Sequence, residues 1–383
     1  MTNVKYQMMN EIKDKKIAIV HEELTQLGGA ERLLDIVLEM FPGSPVYTIV
    51  WDRSKTNHKY DRFDIRPSFI QKLPGGVKHY KWYLALMPRA IESFDLREFD
   101  IIISITSALV KGVKTRENQL HICYCNTPTR YLWVDSDEYI KHAPIPGIIR
   151  PLMPGVIKYL KRWDLTAAKR PDYIISNSEN VQRRVKKIYH RDSAVIYPTI
   201  DFKKFKTLPK KDFFLLVSRL QPYKKVEMVL EAFKNIPDKL VVVGTGIIEK
   251  ELKAKATPNV CFAGRVTEPE LLKLYAEAKG FIFPQEEDFG LTPVEAMASG
   301  TPIIAYKAGG ALETVQEGQT GTFFFPQTAE ALKKAIASFS AQKYDPTVLR
   351  RQAQKFDNSV FKQQLLEYTE GKLKVKSQMS NNY

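Results

Sequence analysis

Short, wholly apolar runs alternate along this chain with longer stretches in which apolar residues recur every three or four positions. The first run, Ile17-Ala18-Ile19-Val20, predicts a buried strand. A loop ending in Gly28-Gly29 follows, and then a helix with Leu33, Leu34, Val37 and Leu38 on one face. Further apolar strands are predicted at 46–50, 101–105, 121–125 and 173–176, with helical stretches between several of them. After Tyr197-Pro198-Thr199-Ile200-Asp201, a stretch with lysines and prolines up to Asp212 reads as a linker. A second series of apolar strands starts at 213–217 and continues at 240–243, 260–262, 281–283 and 303–305.

Uniformly apolar strands separated by helices describe mostly parallel sheets covered on both faces. The predicted fold class is therefore α/β, with two Rossmann-like doubly wound domains in tandem. The carboxyl ends of their strands face a central cleft, where such folds bind ligands. The expected organisation is a flexible extension at 1–16, a first domain at 17–205 and a second at 206–345. A C-terminal helical stretch at 346–370 braces the first domain, and 371–383 form a disordered basic tail.

Composition narrows the partners. A chain of 383 residues, 44% of them hydrophobic, is too long for one ordinary core and suits two. The formal net charge of +15 calls for an anionic partner: nucleic acid, anionic lipid headgroups or a phosphorylated substrate. Three cysteines, Cys123, Cys125 and Cys261, give no disulfide framework, and no apolar leader precedes the first strand, so a cytoplasmic setting is expected. No apolar stretch approaches the roughly 18 residues of a membrane helix.

Chemistry concentrates in Glu287-Asp288-Phe289-Gly290-Leu291-Thr292-Pro293-Val294-Glu295, two carboxylates framing a loop that turns into a helix. A ligand at the helix N-terminus would meet both, because backbone N–H groups and the helix dipole there favour an anion. The same residues fit a capping box, with Thr292, Pro293 and Glu295 at N-cap, N1 and N3. Upstream, Arg219 and Lys224 lie at another strand-to-helix turn, where two cations can clamp a diphosphate; a solvated basic turn is the plainer alternative.

Together these segments resemble the retaining glycosyltransferases of family 4, with the GT-B fold, over residues 16–361. The resemblance rests on Glu287 to Glu295, continuing as Ala296-Met297-Ala298-Ser299-Gly300-Thr301-Pro302, and on the Arg219 and Lys224 pair. Gly28-Gly29-Ala30-Glu31-Arg32, Gly244-Thr245-Gly246 and Gly309-Gly310-Ala311-Leu312-Glu313-Thr314 support it by order and spacing. It implies that Arg219 and Lys224 hold the donor diphosphate, that Glu295 holds the ribose, and that Glu287 orients the transferred sugar. Gly28, Gly29, Phe289, Gly290 and Leu291 would approach the donor through backbone, and Gly264, Arg265 and Val266 fall where the family reads the base. It further implies transfer with retention, the acceptor attacking on the face from which the diphosphate leaves, with no bound metal or other cofactor.

Leu84-Ala85-Leu86-Met87-Pro88-Arg89-Ala90-Ile91-Glu92 and Cys123-Tyr124-Cys125-Asn126-Thr127-Pro128-Thr129-Arg130-Tyr131-Leu132-Trp133 are similar to the branch with GDP-mannose-dependent mannosyltransferases. Asn126 stands where those relatives carry histidine, which bears on donor-sugar identity because asparagine cannot act as an acid or base near neutral pH. Asn126 and Arg130 are the candidate residues beside the sugar or acceptor. His121, Cys123 and Cys125 alternate along a strand without an evident fourth ligand, which suits no common zinc module.

The expected activity is transfer of a sugar, mannose from GDP-mannose, to a saccharide or lipid-linked acceptor in cell-surface glycan synthesis. The alternatives are a UDP-sugar donor or, in another class, a basic nucleic-acid-binding protein without catalysis, for which no binding module is present. Lys78-His79-Tyr80-Lys81-Trp82-Tyr83 and Lys158, Tyr159, Lys161, Arg162 and Trp163 lie beside apolar runs, Leu84 to Met87 and Ile148-Ile149 among them. They form a candidate surface for an anionic membrane, on the inner face of the cytoplasmic membrane.

Overall fold

The computed structural model describes residue 12 and residues 14–134, 146–147 and 150–380. The expected extension up to residue 11, Ile148-Ile149 and residues 381–383 lie outside the described residues. The chain divides into two compact units: residues 1–196 with 362–383, and residues 197–361.

Unit 1 is built on β1 (Ile17–His21), β2 (Val46–Thr48), β3 (Ile65–Pro67), β4 (Ile101–Thr106), β5 (Leu120–Cys125), β6 (Tyr173–Ser176) and β7 (Ala194–Val195). They form one sheet in the order β3-β2-β1-β4-β5-β6-β7, with every pair parallel. All residues of β1, β4 and β5 are buried, the signature of a parallel sheet covered on both faces. Helix Gly29–Met40 buries Leu33, Leu34, Ile36, Val37 and Leu38.

Unit 2 repeats the plan with β8 (Lys211–Val217), β9 (Lys239–Val243), β10 (Val260–Gly264), β11 (Ala278–Phe283), β12 (Ile303–Tyr306) and β13 (Gly321–Phe324). Their order is β10-β9-β8-β11-β12-β13, again all parallel. Both sheets therefore wind outward from a central strand, return, and continue on its other side. The reversal lies between β1 and β4 in one unit and between β8 and β11 in the other. At such a point the loops at the strand carboxyl ends diverge and leave a crevice for ligands.

Several expectations change. Strands β3, β7 and β13 were not predicted, and the expected linker ends earlier because β8 already begins at Lys211. The boundary falls at 196/197 rather than 205/206, since Ile200 and Phe205 pack into the core of unit 2. Residues 346–361 likewise belong to unit 2: helix Pro346–Gln354 buries Leu349 and Ala353 in the same core. The predicted disordered tail is largely helical, because one helix runs Asn358–Ser380 and its Leu373 is buried.

Candidate functional site

In unit 2 the candidate donor-binding residues singled out from the sequence lie at or beyond the carboxyl end of a strand. Beyond the sheet the backbone stays hydrogen-bonded, with Ser218 N donating to Val243 O at 3.0 Å, Leu220 N to Thr245 O at 2.9 Å and Gly244 N to Gly264 O at 2.8 Å. This mesh fixes the turns after β8, β9 and β10. After β8, one 3-10 turn, Pro222–Lys224, leads through Lys225 at φ 55° into helix Val226–Phe233. The left-handed residue redirects the chain and leaves Lys224 facing the loop after β11.

There Lys224 Nζ pairs with Glu287 Oε1, and the two side chains retain only 12% and 21% of their exposure. Gln285 Nε2 lies 3.4 Å from the same carboxylate oxygen. The Gln285 side chain is buried, and its Oε1 has no hydrogen-bond partner among the described residues. Sequence reasoning did not single out Gln285; its place two residues before Glu287 was the available signal. The loop is also held from below, since Gly310 N donates to Glu287 O at 2.9 Å. Gly309 has φ 58°, and a Cβ there would overlap the Glu287 carbonyl oxygen.

Helix Leu291–Ala298 starts from Gly290 at φ 91°, with no side-chain cap. The predicted capping box is thus absent: the helix begins earlier, and Thr292 and Pro293 fall inside its first turn, where a proline sacrifices no helical hydrogen bond. Glu295 is buried and its Oε2 accepts from Tyr275 OH at 2.7 Å instead of capping the helix. Phe289 contributes its ring to the core, packed 5.6 Å from Tyr197 and 5.3 Å from Phe356 between centroids. Its backbone, with Gly290 and half-buried Leu291, forms the uncapped helix entrance.

The structure brings Lys224 and Glu287 together but does not add Arg219 to the pair. Arg219 is exposed and donates to Tyr223 OH at 3.3 Å, while Lys224 Nζ lies 5.1 Å from the centre of the Tyr223 ring. Tyr223 therefore spaces the two cations. Gly264 ends β10 at the sheet edge, followed by exposed Arg265 and half-buried Val266.

In unit 1, Gly28 caps helix Gly29–Met40 and its amide donates to Glu31 Oε2 at 2.7 Å. Glu31 is buried beside His21, 3.5 Å from Nε2. Burial alone would raise the proton affinity of Glu31, but the hydrogen bonds from His21 and the Gly28 amide outweigh it and hold the carboxyl below its ordinary value. Asn126 N donates to Thr106 O at 2.8 Å and its Nδ2 to Ser107 Oγ at 3.3 Å, so the side chain reaches the loop after β4. Half-buried Arg130 begins helix Arg130–Trp133.

A charged pair that the sequence did not reveal underlies these loops. Lys111 and Asp164 are fully buried, with Nζ 2.5 Å from Oδ1. Asp164 Oδ2 also accepts from Trp133 Nε1 and Tyr189 OH, both at 2.8 Å. Burial pulls the proton affinity of Lys111 down, but the Asp164 carboxylate more than reverses this, so the ammonium is held charged. His121 lies within the sheet, with Nε2 2.8 Å from Ser104 Oγ; burial pushes its pKa down to about 3, and Cys123 up to about 11. Among the described residues no group of three or more His, Cys, Asp or Glu is arranged to hold a metal.

The basic and aromatic segments divide between core and surface. Tyr83 OH donates to Pro74 O, Trp163 Nε1 to Glu92 Oε1, and Leu84 and Met87 are buried. Trp82, Leu86, Leu152, Tyr159 and Leu165 are exposed, the last three on one side of helix Met153–Ala167 or just before it, beside exposed Lys158 and Arg162. Among the described residues no helix is long and apolar enough to cross a membrane.

Two parallel Rossmann-like sheets in tandem define the GT-B class of glycosyltransferase folds. Residues 199–356 match the family model of glycosyl transferases group 1. D-inositol 3-phosphate glycosyltransferase of Mycolicibacterium paratuberculosis is 32% identical over 193 residues, 43% of this chain and 44% of that protein. The chain thus spans less than half the length of the first curated relatives it matches. Alpha-1,3/1,6-mannosyltransferase ALG2 of Dictyostelium discoideum is 25% identical, over 86% of this chain and 91% of that one. Anabaena Alr3699/HepE, solved with UDP-glucose, shares the fold with a TM-score of 0.67 at 19% identity, covering 93% of this chain and 99% of that one.

Proposed function

We propose that the protein is a retaining, metal-independent glycosyltransferase that moves mannose from GDP-mannose to a saccharide or lipid-linked acceptor. The observation that carries this reading is the Lys224 and Glu287 pair, drawn together from two turns beside an uncapped helix N-terminus. An ammonium and a helix entrance are what a departing diphosphate requires, since both stabilise charge that develops as the bond breaks. Lys224 exchanges Glu287 for the diphosphate when the donor enters, Arg219 joins it, and the freed Glu287 carboxylate turns to the sugar. Buried Glu295 receives the ribose hydroxyls. The mannosyl assignment draws on the resemblance of the loops around Leu84 and Asn126 and on the similarity to a mannosyltransferase over most of both chains.

Asn126, in place of histidine, bears on which sugar is transferred, and a second reading has a UDP-sugar as the donor. The exposed Trp82, Leu86, Tyr159 and Leu165 with Lys158 and Arg162 suit an anionic membrane surface, where a lipid-linked acceptor would be met from the cytoplasmic side. The test is release of nucleoside diphosphate and transfer of sugar from GDP-mannose and from UDP-glucose. Lys224→Ala lowers kcat/KM by about 10²–10³. Glu287→Ala abolishes transfer while nucleotide binding survives. Equal loss of both in Glu287→Ala removes its sugar-facing role, and no turnover of any nucleotide sugar by the wild type removes the enzyme reading.

A further inference from the structure

The loop that carries Glu287 holds a buried amide that is only half used. Gln285 is buried, its Nε2 lies 3.4 Å from Glu287 Oε1, and its Oε1 has no hydrogen-bond partner among the described residues. A buried carbonyl oxygen without a donor lowers stability, so an amide in such a place usually turns until both ends are served. Here turning brings no relief. It would set the amide oxygen against the Glu287 carboxylate, acceptor against acceptor, and carry the N–H groups away from it. The orientation with N–H toward Glu287 is therefore the better one, even though it leaves the oxygen unpaired.

The backbone keeps this amide within reach of the carboxylate. Pro284 O accepts from Gln327 Nε2 at 2.8 Å and Glu287 O accepts from Gly310 N at 2.9 Å, so carbonyls on either side of Gln285 are pinned by the turns after β13 and β12. Gln285 and Glu287 thus sit on one fixed stretch, whereas Lys224 comes from the separate turn after β8. The two neighbours of Glu287 Oε1 also differ in kind. An ammonium neutralises a carboxylate, while an amide N–H orients it and leaves its charge in place. When Lys224 turns to a diphosphate, Glu287 loses its counter-ion and Gln285 is still beside it.

We propose that Gln285 is the positioning residue of Glu287: its amide N–H holds the carboxylate after Lys224 has gone to the diphosphate, and so aims an uncancelled charge at the transferred sugar. This role rests on the glycosyltransferase reading above. The unpaired oxygen sets it apart from a plain structural one. If Gln285 only filled space, an apolar side chain of similar length would serve as well in every respect. If it stabilised the loop, losing its hydrogen bond would lower stability. Positioning gives a third result, in which an apolar replacement removes an unsatisfied buried oxygen without loss of stability and yet slows transfer.

The experiment compares the full wild-type chain with Gln285→Met by release of nucleoside diphosphate from GDP-mannose and UDP-glucose, by thermal unfolding and by calorimetric titration with GDP and UDP. With the donor that is turned over, Gln285→Met lowers kcat about tenfold or more, as when a positioned group shifts by about an ångström. The KM for that donor and the affinity for its nucleotide change by less than about twofold, because the ground-state contacts are untouched. The unfolding midpoint is unchanged or higher. Gln285→Leu gives the same pattern and carries the test if the methionine variant fails to fold. An unchanged kcat in a folded variant overturns the proposal, as does a fall in kcat matched by a fall in unfolding midpoint or in nucleotide affinity. If neither variant folds, Gln285 belongs to the fold and the positioning role is lost. Wild-type turnover with unaffected variants removes only the role of Gln285, whereas a wild type that releases nucleotide from neither donor removes the glycosyltransferase reading and this role with it.

Discussion

His121 shows how a single residue suggestive of a metal site can serve the core instead. Its ring is buried in the first sheet against Ser104, where the neutral form is favoured down to a pKa of about 3. The unfolded chain takes up that proton near pH 6.5, so between these values the unfolded state binds more protons and stability falls as the pH is lowered. Replacing His121 by Gln flattens this part of the acid-unfolding curve, measured as denaturant midpoint against pH from 7 to 4. An unchanged slope assigns the acid sensitivity to other groups. The acidic pair was legible from its spacing, but the fate of each carboxylate was not. Tyr275, which holds Glu295, comes from the helix Glu268–Glu277, and Lys224, which holds Glu287, from the turn after β8. Local sequence offered the capping box, and tertiary contacts overrode it.

At the scale of elements, the strands that could be read carry a run of mostly apolar residues, and in β1, β2, β4 and β5 every residue is buried. Those that escaped offered no such run: β3 is Ile65–Pro67 at a sheet edge with a partly exposed face, β7 has two residues, and β13 begins with a glycine. Turns were less legible than strands, because their conformation depends on what they lean against. The turn after β12 is the template for the loop that carries Glu287, with Gly309 in the left-handed region and no room for a Cβ. Gly309→Ala therefore costs about 1–3 kcal/mol in strain and displaces the loop. Sugar transfer falls by tenfold or more, as expected when a positioned group moves by about an ångström. Nucleotide release and thermal unfolding measured side by side check this; full transfer activity in the variant shows that the turn does not position the loop.

For the molecule as a whole, two doubly wound units followed from alternating apolar strands and helices, but their borders did not. Composition changes little between 197 and 205, and only the packing of Ile200 and Phe205 assigns that stretch to unit 2. The net charge of +15 acts at this scale too. Each basic residue at an anionic surface contributes about 1 kcal/mol, so Lys158→Glu with Arg162→Glu lowers co-sedimentation with phosphatidylglycerol vesicles at least tenfold. Raising the salt has the same direction of effect on the wild type; binding indifferent to both changes assigns the surface another use. The helix Asn358–Ser380 has a further consequence. Unit 1 is interrupted by all of unit 2 and regains its last buried apolar residues only with Leu365, Leu366 and Leu373. On the ribosome, where domains form as they emerge, unit 2 is complete while unit 1 still waits for its closing helix. The half of the protein begun first is thus the half finished last, and a nascent chain halted after residue 361 carries a whole second unit beside an unfinished first one.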